Sequence, residues 1–281
     1  MSRKPVGLQQ RLITALVLLA LLVALVFLAP PWATIVVIAL AMLGGAWEWS
    51  AFLHHDRRRV RAAYVALVAL GLIAAWSVST TIDSLSMLLL GACAWWVIAL
   101  LWIMLAPQRG GAISAAIAGL CALVPAGVAL ARLRLEPNGG ELLVFVLLIV
   151  MAADVGAYFA GHALGKTKLA PQVSPGKTWE GVIGGFVVSV LVAFVGSRWL
   201  GWPTTPMMLL ALGAAAFSVV GDLIESLMKR HSGLKDSGRL FPGHGGLLDR
   251  LDSLTAGVPL LVLGLLKAGL IGAALVPEVI E

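Results

Sequence analysis

Four aspartates stand where an apolar chain should not tolerate them. Asp154 lies in the run MAADVGAYFAGH and Asp222 in VVGDLIES, both otherwise apolar. An aspartate near the middle of a membrane span costs about 2.5–3.5 kcal/mol on insertion scales, so an intramembrane acid needs a reason. Asp222 shares a helical face with Glu225 at i+3 and Ser226 at i+4, and Lys229 continues that face. Asp249 and Asp252 repeat the i, i+3 spacing in LLDRLDS. Between Lys229 and Ser253 the chain concentrates eight charged residues, two histidines and five glycines. The acids either converge on one wet site or serve as separate structural carboxylates; their common depth beside two polar segments favours one site. Carboxylates with few histidines and no paired cysteines suit a hard cation, and magnesium is usually held by one or two carboxylates together with substrate phosphates. Zinc does not fit: His54 and His55 are adjacent in a basic loop, His162 and His231 are isolated, and HExxH and CxxC are both absent.

The basic residues around these acids point to phosphate. A metal with a cationic cradle is the logic of phosphoryl or nucleotidyl transfer, where charge on phosphate oxygens must be neutralised. Gly245 and Gly246, in PGHGG, let the backbone approach a phosphate, and His244 can touch one; a plain turn before a helix is the alternative. In SPGKTWEG, residues 174–181, Lys177 and Thr178 can serve a nucleotide, or Thr178 can simply start a helix. GHALGKT is not a phosphate-binding P-loop, because its spacing is one residue short, Ala160 replaces the first glycine and no strand precedes it. Glu48, between Trp47 and Trp49 at the inner end of an apolar run, is either an interface anchor or a contributor to the site.

The elements that position these residues follow from composition. Of 281 residues, 60% are hydrophobic and 12% charged, and mean hydropathy is +0.99. Water-soluble domains carry about 25% charged residues, so the chain is read as an all-α polytopic membrane protein. Nine segments are long enough to span: Leu12–Ala29, Trp32–Leu53, Ala62–Val78, Ser84–Leu105, Ala112–Ala131, Leu142–Gly161, Gly181–Leu200, Pro206–Ile224 and Leu254–Val276. The first is expected to stay uncleaved, since it ends in LAPPWA. With the N-terminus cytoplasmic, inside segments hold 16 Lys and Arg against 3 outside (Arg132, Arg134 and Arg198), which predicts that orientation and an outside, periplasmic C-terminus. Lys267 is expected to snorkel from within the last span. The net charge of +6 thus reflects membrane insertion, not nucleic-acid binding. Residues 1–140 form an N-terminal membrane region of five spans. Residues 141–281 form a C-terminal catalytic region of four spans and two cytoplasmic loops, within one integral unit.

Taken together, the run Ser226, Lys229-Arg230, Lys235-Asp236, Phe241-Pro242-Gly243-His244-Gly245-Gly246, Asp249-Arg250 and Asp252 resembles the C-terminal signature of the phosphatidate cytidylyltransferases. ADVGAYFAGHALGK, SPGKTWEG and GDLIESLMKR resemble further blocks of that family, so the likeness covers Ala153 to Asp252. It implies transfer from CTP to phosphatidic acid, giving CDP-diacylglycerol and pyrophosphate, at the cytoplasmic face of a bacterial inner membrane. Asp222 and Asp249 would hold magnesium, with Asp252 or Asp154 as further ligands. Lys229, Arg230, Lys235, Asp236 and Arg250 would join Asp222 and Asp249 in catalysis. Ser174, Lys177, Thr178, Glu180, Ser226, Arg239, His244, Gly245 and Gly246 would bind substrate. The likeness also implies a second cation and a homodimer. Two other readings use the same residues: a CTP-dependent kinase of a membrane alcohol, and a cation or phosphate transporter. The nearly wholly apolar outer halves of the spans argue against a transport pathway.

Overall fold

The computed structural model describes residues 20–53, 58–234, 237–238 and 246–275. The described helices are α1 (residues 20–28), α2 (Pro31–Trp49), α3 (Arg58–Val78), α4 (Ile82–Leu105), α5 (Ala112–Leu135), α6 (Gly139–Leu164), α7 (Trp179–Trp199), α8 (Thr204–His231) and α9 (Leu248–Lys267). Seven helical segments, from Pro31–Leu53 to Thr204–His231, are long and apolar enough to cross a membrane among the described residues. The first expected span, Leu12–Ala29, is described from residue 20 onward, where α1 lies. A predominantly helical, polytopic membrane protein is therefore what the sequence builds. Its exposed surface is rich in large apolar side chains such as Leu70, Met104, Leu105 and Trp199, as lipid contact requires.

Two expectations need correction. The last helix was expected over Leu254–Val276 but runs over Leu248–Lys267. It starts earlier because its polar first turn is capped by acids, described below. It stops at Lys267 because Gly269 takes a left-handed φ of +66°. Gly269 N–H then donates to the Leu266 carbonyl and Leu270 N–H to the Leu265 carbonyl, each at 3.0 Å, a glycine-terminated helix end. Lys267 is thus the last residue of α9, where a cation suits the helix dipole. The second correction concerns the segment between α6 and α7, expected as a loop. It contains an antiparallel hairpin, β1 (Lys168–Ala170) and β2 (Ser174–Thr178), with Lys168 opposite Thr178 and Ala170 opposite Ser174.

Tight packing of α6 on α7 builds one wall of the site. A Cβ on Gly156 would sit 2.5 Å from the Gly184 carbonyl oxygen, and one on Gly185 would sit 2.6 Å from the Ala153 carbonyl oxygen. Such backbone proximity needs small residues, the usual basis of helix association in lipid. At Gly221 the α8 backbone lies equally close to α9, where a Cβ would meet the Asp252 carbonyl oxygen. Helix α9 sits centrally, contacting α2, α4, α5, α6 and α8. Trp96 on α4 donates its indole N–H to the Thr255 carbonyl of α9 (3.2 Å).

Helix α5 fastens the N-terminal helices. Trp49 donates to the Ala115 carbonyl (2.7 Å) and Tyr64 to the Ala116 carbonyl (3.0 Å). At the opposite end, Arg132 donates to the Trp76 carbonyl (2.6 Å) and lies 3.8 Å over the Trp76 ring. Arg134 donates to the Val26 carbonyl (2.9 Å). Both arginines satisfy carbonyls in last helical turns, of α3 and α1, which lack partners within the helix.

Replacing Gly156 by Leu should force α6 and α7 apart. Overpacking of this kind costs about 1–3 kcal/mol, to be read as a lower thermal unfolding midpoint of the purified protein in detergent.

Candidate active site

One cavity of about 520 Å³ opens between α6, β2, α7, α8 and α9. Asp154 from α6, Lys177 from β2, Asp222 from α8, and Asp249, Arg250 and Asp252 from α9 all line it. The four aspartates singled out in the sequence therefore share a single enclosure. The rest of its lining includes apolar or small residues such as Ala153, Gly185, Phe186 and Val219. A lining that mixes charged and apolar side chains suits a ligand with a charged head and a greasy body.

The acids are held from β2, α8 and α9. Asp222 pairs with Lys177 (2.5 Å) and accepts a longer bond from Ser226 (3.4 Å). Asp249 accepts from Lys229 (2.7 Å) and from the Gly246 N–H (2.7 Å). Lys229 also reaches Glu225 one turn earlier on α8 (3.2 Å). Asp154 accepts from the Ser253 hydroxyl (2.9 Å). Asp252 is almost fully buried, and its carboxylate accepts the N–H of Ser253 (2.7 Å). Removing one partner from such a buried pair leaves an uncompensated charge, so these contacts fix the side chains as well as stabilise them.

The two polar segments are positioned by local chemistry. Thr178 caps α7: its hydroxyl accepts the Gly181 N–H (3.2 Å), while its side chain also borders the cavity. Glu180, in the first turn of α7, turns back to accept the N–H of Lys166 (3.1 Å) and Thr167 (3.1 Å). It orders the chain leaving α6 and does not line the cavity. Ser174 belongs to β2, opposite Ala170. Arg230 donates to the Val173 carbonyl (3.4 Å), tying α8 to the hairpin. Helix α8 ends at a second glycine stop, Gly233 with φ +68°, where Leu234 N–H donates to the Lys229 carbonyl (2.9 Å). His231, read from sequence as isolated, lies 2.8 Å from the Pro107 carbonyl and anchors that end. Lys235, Asp236, Arg239, His244 and Gly245 lie outside the described residues.

Among the described residues no three His, Cys, Asp or Glu side chains are grouped so as to hold a metal by themselves. The donor set still fits a magnesium site of the usual kind, in which one or two carboxylates act with substrate phosphates.

Several residues at or beside the cavity were not anticipated. Tyr158 and His162 line it and stack almost parallel, with ring centroids 6.1 Å apart and 5° between planes. Their i, i+4 spacing was the available signal. Ser253, which holds Asp154, carried no signal beyond adjacency to Asp252. Glu48, by contrast, is read from sequence as either an interface anchor or a contributor to the site; it reaches the start of α9, with its carboxylate accepting the Leu248 N–H (2.8 Å).

A fold with several helices apolar enough to span, and with acids and a lysine lining one cavity, defines an integral membrane protein with a charged site. The sequence model of the cytidylyltransferase family matches residues 9–266 of the chain. A phosphatidate cytidylyltransferase of Pseudomonas aeruginosa is 40% identical over 269 residues, covering 93% of this chain and 98% of the relative. One of Haemophilus influenzae is 38% identical over 283 residues, covering 90% and 96%. One of Brucella suis is 49% identical over 132 residues, 46% of this chain and 48% of the relative. The chain belongs to the cytidylyltransferase family.

Replacing Thr178 by Ala should cost about 1 kcal/mol through the lost helix cap, measured by thermal unfolding, and Thr178→Ser should restore most of it.

Proposed function

We propose that this chain transfers the cytidylyl group of CTP to phosphatidic acid, releasing pyrophosphate and forming CDP-diacylglycerol. The observation that carries the reading is the shared cavity: acids and bases from α6, β2, α8 and α9 surround one space whose lining is part charged and part apolar. The printed names of the full-length relatives support it. A phosphate oxygen of the lipid attacks the α-phosphorus of CTP, and the bond from that phosphorus to the bridging oxygen of the β-phosphate breaks. Pyrophosphate takes the electron pair. The attacking phosphate is already ionised, so no general base is required. Developing charge on phosphate oxygens is what the site must stabilise.

Asp222 and Asp249 are the residues proposed to hold magnesium, with Asp154 or Asp252 as a further ligand; the ion would neutralise the triphosphate and its leaving group. Lys177 sits on Asp222 and Lys229 on Asp249. Lys177 lines the cavity and would pair with bound phosphates, which would leave Asp222 to a cation; Lys229 would hold Asp249 in place beside it. Arg250 lines the cavity and adds positive charge. The reading extends to a second cation, a homodimer and a substrate-binding role for Ser174, Glu180, Ser226, Gly246 and the residues outside the described set, on the strength of the family resemblance.

The proposed topology has nine spans, a cytoplasmic N-terminus and an outward C-terminus, in a bacterial inner membrane with the cavity open to the cytoplasm. Its support is the excess of Lys and Arg on one side together with bacterial relatives. Helix α9 is counted as a span although its first turn carries Asp249, Arg250 and Asp252, because the rest of it is apolar and buried.

The test is a mass-spectrometric product assay with CTP labelled separately at its α and γ phosphates, phosphatidic acid and magnesium. The α label should enter the lipid; entry of the γ label alone would mean a kinase. EDTA should abolish turnover and magnesium should restore it. Asp249→Asn should lower kcat by about 100-fold or more, with the unfolding midpoint close to that of the parent protein, since Glu225 still pairs with Lys229.

A further inference from the structure

We infer that Glu48, on the second helix of the N-terminal half, is a positioning residue for the transferase site, acting through the first turn of α9. The inference rests on the reaction proposed above for its kinetic arm only. Glu48 occupies the last turn of α2 and is 9% exposed. A carboxylate at such a place is tolerated only with compensating partners. Its Oε2 accepts the N–H of Leu248 at 2.8 Å. That N–H is one of the unpaired donors at the start of α9, where the helix dipole also favours an anion.

Two glycines lie directly on the same carboxylate. A Cβ on Gly238 would be 2.0 Å from Glu48 Oε1, and one on Gly246 would be 2.4 Å from Oε2. No larger residue fits at either place without displacing Glu48. The apolar neighbours repeat the arrangement: Leu247 rests on Gly44 and Leu251 on Gly45 of α2. The end of α2 is therefore a seat for residues 246–251, with Glu48 as its polar point.

Asp249 follows Leu248 directly. Its carboxylate is fixed by the Gly246 N–H and by Lys229, each at 2.7 Å. Gly246 touches Glu48, and Leu248 is bonded to it, so both neighbours that define the path of Asp249 are set by one side chain 200 residues away. Loss of that contact moves Asp249 relative to Lys229 and Asp222 without removing any group that touches substrate. Misplacements of about 1 Å can lower a rate by about 100-fold.

The experiment compares Glu48→Ala, Glu48→Gln and Glu48→Asp in the purified full-length protein. It measures kcat, the KM for CTP and for phosphatidic acid, and amide hydrogen exchange. Glu48→Ala should lower kcat by about 10- to 100-fold with each KM within about threefold, the pattern of a mispositioned group. Exchange should accelerate in residues 246–253 and stay unchanged in α6 and α7. Glu48→Gln keeps an oxygen acceptor for Leu248 and should return kcat to within about threefold of the parent. Glu48→Asp retracts the carboxylate and should fall between them. A Glu48→Ala protein with parental kcat, a Glu48→Gln protein as impaired as Glu48→Ala, or faster exchange spread evenly through α6 and α7 would each overturn the inference. If Glu48→Ala does not fold, Glu48→Asp decides: parental kcat and parental exchange at 246–253 would overturn it. If the parent protein makes no CDP-diacylglycerol, the reaction assignment fails, and the exchange pattern alone still tests the seat.

Discussion

A negative charge in apolar surroundings must be met by a cation or by hydrogen-bond donors, and here those partners come from elsewhere in the chain. Asp222 is met by Lys177 of β2, Asp249 by Lys229 of α8, Asp154 by Ser253 of α9, and Glu48 by the backbone at the start of α9. Each pairing joins two elements. The acids that line the cavity are thus also the cross-links that hold its walls in register. Site and scaffold share the same interactions.

Small residues supply the complementary constraint. Gly156, Gly184, Gly185 and Gly221 let backbones meet at contacts that a single methyl group would block. Close approach of α6 to α7 and of α8 to α9 leaves the space between these pairs as a cavity. Its width is set by backbone contacts that cannot stretch, rather than by long side chains that can. Charged groups placed on such a frame keep their separations, as a reaction needing aligned phosphates demands.

The division into an N-terminal membrane region and a C-terminal site region gains a physical link in α2 and α5. Trp49 and Tyr64 pin α2 and α3 to α5. Glu48 then carries that rigid unit to the first turn of α9. The cavity residues come from the second half of the chain, yet the helix bearing Asp249, Arg250 and Asp252 starts on a seat built by the first.

The sequence by itself determined the membrane class, most helix positions and the acids that line the cavity, because apolar runs, charged residues within them and a signature motif are local features. Residues 246–253 were singled out for the same reason. Where α9 begins and ends was misjudged: its charged first turn resembles a loop until Glu48 caps it, and its stop depends on Gly269 adopting a left-handed conformation. The hairpin was missed because its strands are three and five residues long and show no alternating pattern. Only the tertiary structure decided which lysine meets which carboxylate, that Tyr158 and His162 stack within the cavity, and that Glu48 belongs to the seat of α9. These pairings join residues on different elements or on one helix face, and helix packing, which no local periodicity encodes, sets which of them meet.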